Sequence, residues 1–151
     1  MLKYELIHSD KPLLYRIKAL KDFSDVKKGD LGGYVSNNTN LDQNGDAWVY
    51  DDAEVHGTAV VFEDAKIRNN AVIKSESYIF GNTEVKDNAC VDSSRLYGDT
   101  ILSDSCKVLS SMIKGNIKIC NDVVVQKLDY IQPIPVVIKT KKDIPGRFKW
   151  F

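Results

Sequence analysis

A small residue recurs every six positions along the middle of the chain: Ala47, Ala53, Ala59, Ala65, Ala71, Ser77, Thr83 and Ala89. Two residues after each stands a β-branched aliphatic: Val49, Val55, Val61, Ile67, Ile73, Ile79, Val85 and Val91. An α-helix cannot use this period, because six residues advance it by about 600° and the stripe spirals around the axis. A strand can, since residues two apart face the same side. Each small-x-aliphatic triplet is therefore predicted to be a short strand with both ends inward. Between triplets stand Asp51-Asp52, Gly57-Thr58, Glu63-Asp64, Asn69-Asn70, Gly81-Asn82 and Asp87-Asn88. Gly, Asn and Asp tolerate the left-handed backbone that a sharp corner demands.

After Val91 the phase slips by one residue, giving Ser94-Arg95-Leu96, Thr100-Ile101-Leu102 and Cys106-Lys107-Val108. A second slip gives Ser111-Met112-Ile113, followed by Ile117-Lys118-Ile119, Val123-Val124-Val125 and a weaker Asp129-Tyr130-Ile131. The segments SYIFGNTEV, SRLYGDTIL and SMIKGNIKI, starting at Ser77, Ser94 and Ser111, align at a 17-residue spacing. One coil is thus three hexads with one shortened corner. The expected fold is all-β: a single-stranded parallel β-helix of about five coils, a triangular prism whose strands stack at roughly 4.8 Å. Leu96, Leu102, Val108, Ile113, Ile119 and Val125 continue the inward column.

The run over residues 41–131, with units such as VHGTAV from Val55 to Val60, resembles the hexapeptide-repeat, left-handed parallel β-helix proteins. The left hand is implied by that resemblance; the periodicity does not fix it. YRIKALKDFSDVKKGDLGGYV, from Tyr15 to Val35, followed by NLDQNGDAWVYDDAEV, resembles the N-terminal block of β-helical proteins scattered through bacterial genomes, prophages and phages. That second resemblance implies an accessory, phage or prophage origin and supplies no activity.

Both ends leave the repeat. Residues 1–40 are expected to cap the stack, since an open β-helix end exposes unpaired backbone groups. Tyr4 to Ile7 and Tyr15 to Leu20 read as strands, and Asp30-Leu31-Gly32-Gly33 reads as a turn. Residues 132–151 read as a tail, with prolines at 133, 135 and 145 that forbid a regular helix. Val136, Val137, Ile138, Phe148, Trp150 and Phe151 give that tail apolar surface to lay along a prism face or onto a second chain.

Charge and composition narrow the function. Lys+Arg and Asp+Glu balance at 21 each in 151 residues, which argues against a dedicated nucleic-acid binder. No apolar run approaches the ~20 residues of a membrane helix, and MLKYELIHSD has no secretory h-region. The three cysteines, Cys90, Cys106 and Cys120, form no CxxC and read as reduced thiols of a cytoplasmic protein, the host cytoplasm if phage-encoded.

Chemistry-bearing motifs are sparse. Many hexapeptide proteins are acyltransferases using acyl-CoA, whose usual requirement is a His general base at a cleft between subunits. This chain has His8, in the cap, and His56, outward beside Val55. It lacks both the long catalytic loop between hexads and the added helical domain of many such enzymes. Two histidines cannot supply the three ligands of the zinc carbonic anhydrases of that group. Cys106 takes a small inward position, and no phosphate-cradling motif occurs. Asp42, Asp46, Asp51, Asp52 and Glu54 read as solvated corners rather than a Ca²⁺ site. Lys139, Lys141, Lys142, Arg147 and Lys149 read as a solubilising or partner-contact cluster. No catalytic residue, metal or cofactor is expected.

The register assigns outward residues to faces. One face carries Val60, Phe62, Tyr78, Phe80, Arg95, Tyr97, Met112, Lys114 and Tyr130. Aromatics, Met and Arg are what interface centres are made of, and a contiguous apolar face is normally covered. Phe62, Tyr78, Phe80, Arg95, Tyr97, Met112 and Tyr130 are thus the expected binding residues. They would serve a homo-oligomer or a foreign protein, unless the chain's own tail covers them. The expected function is non-enzymatic protein binding, with inhibition of a host defence complex as its concrete phage version. The alternatives are an acyltransferase using His56 and a phage assembly scaffold.

Overall fold

Each inward aliphatic of the hexad register, from Val49 to Val125, is fully buried. The alanines between them are buried too, so the small residues let the chain turn close to a common axis. The computed structural model describes residues 1–145 and the backbone of Phe148 and Lys149, and it shows a parallel β-helix of about six turns. On one face Val60–Val61, Tyr78–Ile79, Arg95–Leu96, Met112–Ile113 and Asp129–Tyr130 pair in parallel. On the second, Trp48–Val49, Lys66–Ile67, Glu84–Val85, Ile101–Leu102 and Lys118–Ile119 do the same. The third stacks Glu54–Val55, Val72–Ile73, Cys90–Val91, Lys107–Val108 and Val124–Val125. Lys66 follows its partner Trp48 by 18 residues, whereas Ile101 follows Glu84 by 17.

Each corner has its own device. At the first, Asp51, Asn69, Asp87, Asp104 and Asn121 all have φ between 55° and 61°. The side chain of each accepts the backbone N–H of the next at 2.8–3.1 Å. At the shortened corner, Ser94 N–H donates to Ser77 Oγ at 3.1 Å, Ser111 N–H to Ser94 Oγ at 2.9 Å, and Leu128 N–H to Ser111 Oγ at 3.1 Å. At the third corner, Gly81, Gly98 and Gly115 lie on one another with positive φ.

Residues 1–40 join the stack through a sheet of their own. β1 (Tyr4–Ile7), β2 (Tyr15–Ala19) and β3 (Leu31–Val35) form an antiparallel sheet, and β3 pairs in parallel with Glu54–Val55. The outward Trp48 is buried beneath Tyr4 and Phe23, which meet it edge-on at centroid distances of 6.1 and 5.2 Å. The turn expected at Asp30–Gly33 is instead the start of β3. Its glycines serve close approach: a Cβ on Gly32 would lie 2.5 Å from Ile17 Cγ1, and one on Gly33 2.5 Å from the Ala53 carbonyl oxygen.

Two further expectations are corrected. Tyr130 points inward and is 5% exposed, because it pairs with Ile113 and so occupies the aliphatic column. The corner is shortened a third time after Val125, which puts Leu128 in the small-residue column and Ile131 outside. The tail does not leave the repeat at 132 either. Asp129–Ile138 is one strand, with Ile138 paired to Ile119 and buried. Gly115 pairs with Gln132 but Ile117 with Val136, so two extra residues bulge out there, carrying Pro133 and Pro135 to the exposed side. Phe148–Lys149 adds a rung against Asp129–Tyr130. Arg147, Trp150 and Phe151, and the side chains of Phe148 and Lys149, lie outside the description. Among the described residues no helix is long and apolar enough to cross a membrane.

Candidate protein-binding face

Because parallel rungs repeat at the strand spacing, identical columns of outward side chains must stack. The face bearing Val61 and Ile79 turns this into a ring ladder. Phe62 and Phe80 stack at 4.6 Å with planes 12° apart, and Phe80 and Tyr97 at 4.7 Å with planes 7° apart. The rings give way to Lys114, whose ammonium lies 5.3 Å from the Tyr97 centroid, and then to Ile131 on the following rung. The adjacent column runs Val60, Tyr78, Arg95, Met112, with the Arg95 guanidinium carbon 5.1 Å from the Tyr78 ring. Phe62, Tyr78, Phe80, Tyr97 and Met112 are half-buried and Arg95 is exposed. Six of the seven expected binding residues therefore share this face. Tyr130 does not, and Asp129 and Ile131 take the outer positions on its rung.

Two clefts flank the ladder. One, of about 420 Å³, has Leu41, Val60, Phe62 and Tyr78 as its apolar wall, with Asn38, Thr39, Asp42 and Gln43 around it. The other, of about 360 Å³, lies between Tyr78, Arg95 and Met112 and the serines Ser93, Ser110 and Ser111. The contribution of residues 38–43 escapes the hexad reading, because Leu41 bridges to Val61 across a 20-residue interval. The aliphatic at Leu41 was the available signal. The C-terminal strand stacks on the end of the prism and leaves this face uncovered as far as Pro145.

The other faces are held by polar contacts. Tyr50 Oη donates to Asp25 Oδ1 at 2.7 Å, and Arg68 lies over the Tyr50 ring at 4.1 Å and 3.5 Å from Glu84. Burial together with the Asp25 hydrogen bond holds the Tyr50 phenol well above its usual range. His56 Nε2 sits 2.7 Å from Glu54 Oε1, and Lys11 Nζ pairs with Glu54 Oε2 at 2.7 Å. Burial pushes the Glu54 carboxyl up, but the hydrogen bonds from Lys11 and His56 win and hold it below the usual value. The Cys106 thiol is driven up to about 12 by burial, which makes it a poor nucleophile. Among the described residues, no three His, Cys, Asp or Glu side chains gather to hold a metal ion.

No family model matches the chain, and no curated protein matches it.

Proposed function

We propose that this chain is a non-enzymatic binding protein that works through protein–protein contact on the ring-ladder face. The observation that carries the reading is the half-exposed stack Phe62–Phe80–Tyr97, fixed to a rigid sheet and flanked by Tyr78, Arg95 and Met112. Rings already ordered by their neighbours lose little entropy on docking, and aromatic and Arg anchors dominate interface energies. The face serves a homo-oligomer or a foreign protein in the cytoplasm. The likeness of the Tyr15–Val35 block to proteins of phages and prophages supports a contact with the host, and inhibition of a host defence complex is its concrete form.

Phe80→Glu tests this, because it places a charge in the middle of the stack. The expected result is a smaller species on sizing, or loss of proteins captured from host or infected cells, with an unchanged circular dichroism spectrum. Unchanged size together with an unchanged captured set would overturn the reading.

A further inference from the structure

The ring stack ends differently at its two ends. Beyond Tyr97 the next rung presents the Lys114 ammonium. Beyond Phe62 it presents Asp42, whose N–H donates to the Val61 carbonyl at 3.0 Å. A ring face carries negative potential, so a carboxylate cannot close the stack as an ammonium does. The neighbouring column is empty at this level, because Asn40 turns inward and donates its amide to the Ala59 carbonyl at 2.7 Å. The 420 Å³ cleft is the result. Asp42 is half-buried, its Oδ1 accepts the Asn44 N–H at 3.0 Å, and among the described residues it makes no direct ion pair, the buried Lys3 ammonium acting on it only from beyond 4 Å.

We propose that this cleft takes an arginine side chain of a partner protein, with the guanidinium stacked on Phe62 and paired with Asp42. The inference rests on reading the face as a protein-contact surface. A cation between ring and carboxylate is attracted by both, and gives this end of the stack the closure that Lys114 gives the other. A guanidinium fits better than an ammonium, since it is planar, more weakly hydrated and matches a carboxylate two-pronged.

The probe is N-acetyl-arginine N-methylamide, titrated into the labelled full chain and followed by NMR. Saturable shifts at Asp42 and Phe62 are expected, with none from the norleucine analogue. Asp42→Asn keeps the oxygen that holds Asn44 and should weaken the arginine probe about fivefold. Equal shifts from the norleucine analogue would overturn the proposal in favour of an apolar occupant, and absence of any shift would overturn it outright. A smaller species on sizing Asp42→Asn would assign the cleft to a second copy of the chain and also overturn it. Partner capture lost in Phe80→Glu but kept in Asp42→Asn would sink the arginine and spare the face; no effect of Phe80→Glu would sink the face itself.

Discussion

The Lys3 side chain is almost fully buried, and its ammonium lies 2.8 Å from the Ala47 carbonyl oxygen and 3.2 Å from that of Gly45. These carbonyls belong to the first coil, which has no earlier rung to donate to them at this corner. Burial lowers the Lys3 pKa from 10.5 to about 8, despite the nearby carboxylates of Asp42 and Asp46. Between those two values the unfolded chain holds a proton that the folded chain has released, so this group adds stability as pH rises. The neutral amine keeps two N–H donors for the same carbonyls. Tyr4 works the other way: burial raises its pKa to about 12, so above pH 10 the folded chain holds the extra proton and stability falls. Cys106, raised by burial from 9.0 to about 12, acts as Tyr4 does from about pH 9 upward, but equally in parent and variant, so the Lys3 effect is read from their difference over the window pH 8 to 10. Lys3→Met should be less stable than the parent, and the gap in urea midpoint should widen across that window. A constant gap would mean that the ammonium is not desolvated.

At the scale of a corner, backbone conformation and space can be separated. Gly57 and Gly98 both have positive φ, 61° and 81°. A Cβ on Gly57 would meet nothing nearer than 3.5 Å, while one on Gly98 would lie 2.8 Å from the Gly115 nitrogen. Both alanine variants carry the left-handed penalty of about 1–2 kcal/mol. Gly98→Ala should lose more than Gly57→Ala in denaturant melts, and equal losses would show that the glycine stack is not tightly packed. Tyr4–Ile7 and Tyr15–Ala19 were legible as strands outside the repeat, and elsewhere the elements were legible where the period held. Six-residue spacing sufficed for every inward residue from Val49 to Val125, and for the ring ladder that follows from it. It failed at Tyr130, where a third shortened corner brings the large Leu128 into a column otherwise filled by Ala59 and three serines. It failed again at Gln132–Val136, where two extra residues and two prolines hide a rung that the backbone still completes. Gly32 and Gly33 read as a turn because sequence shows what a glycine permits, not what presses against it.

Across the whole molecule, contacts run mainly from one coil to the next, the two ends differ, and the 17-residue interval holds from Tyr78 through Arg95 and Met112 to Asp129. Lifting out residues 95–111 would join Ser94 to Met112 and set Met112 on Tyr78, with the serine ladder, the glycine corner and the inward column all continuous. That shortened chain should fold and melt cooperatively, somewhat less stable by one nearest-neighbour contact. An aggregated or molten product would mean that the coils are not interchangeable. The same interval makes length itself a heritable variable. Unequal crossing-over between the DNA of two neighbouring coils can shorten or lengthen the rod by whole turns, moving its two ends apart or together while each keeps its own surface.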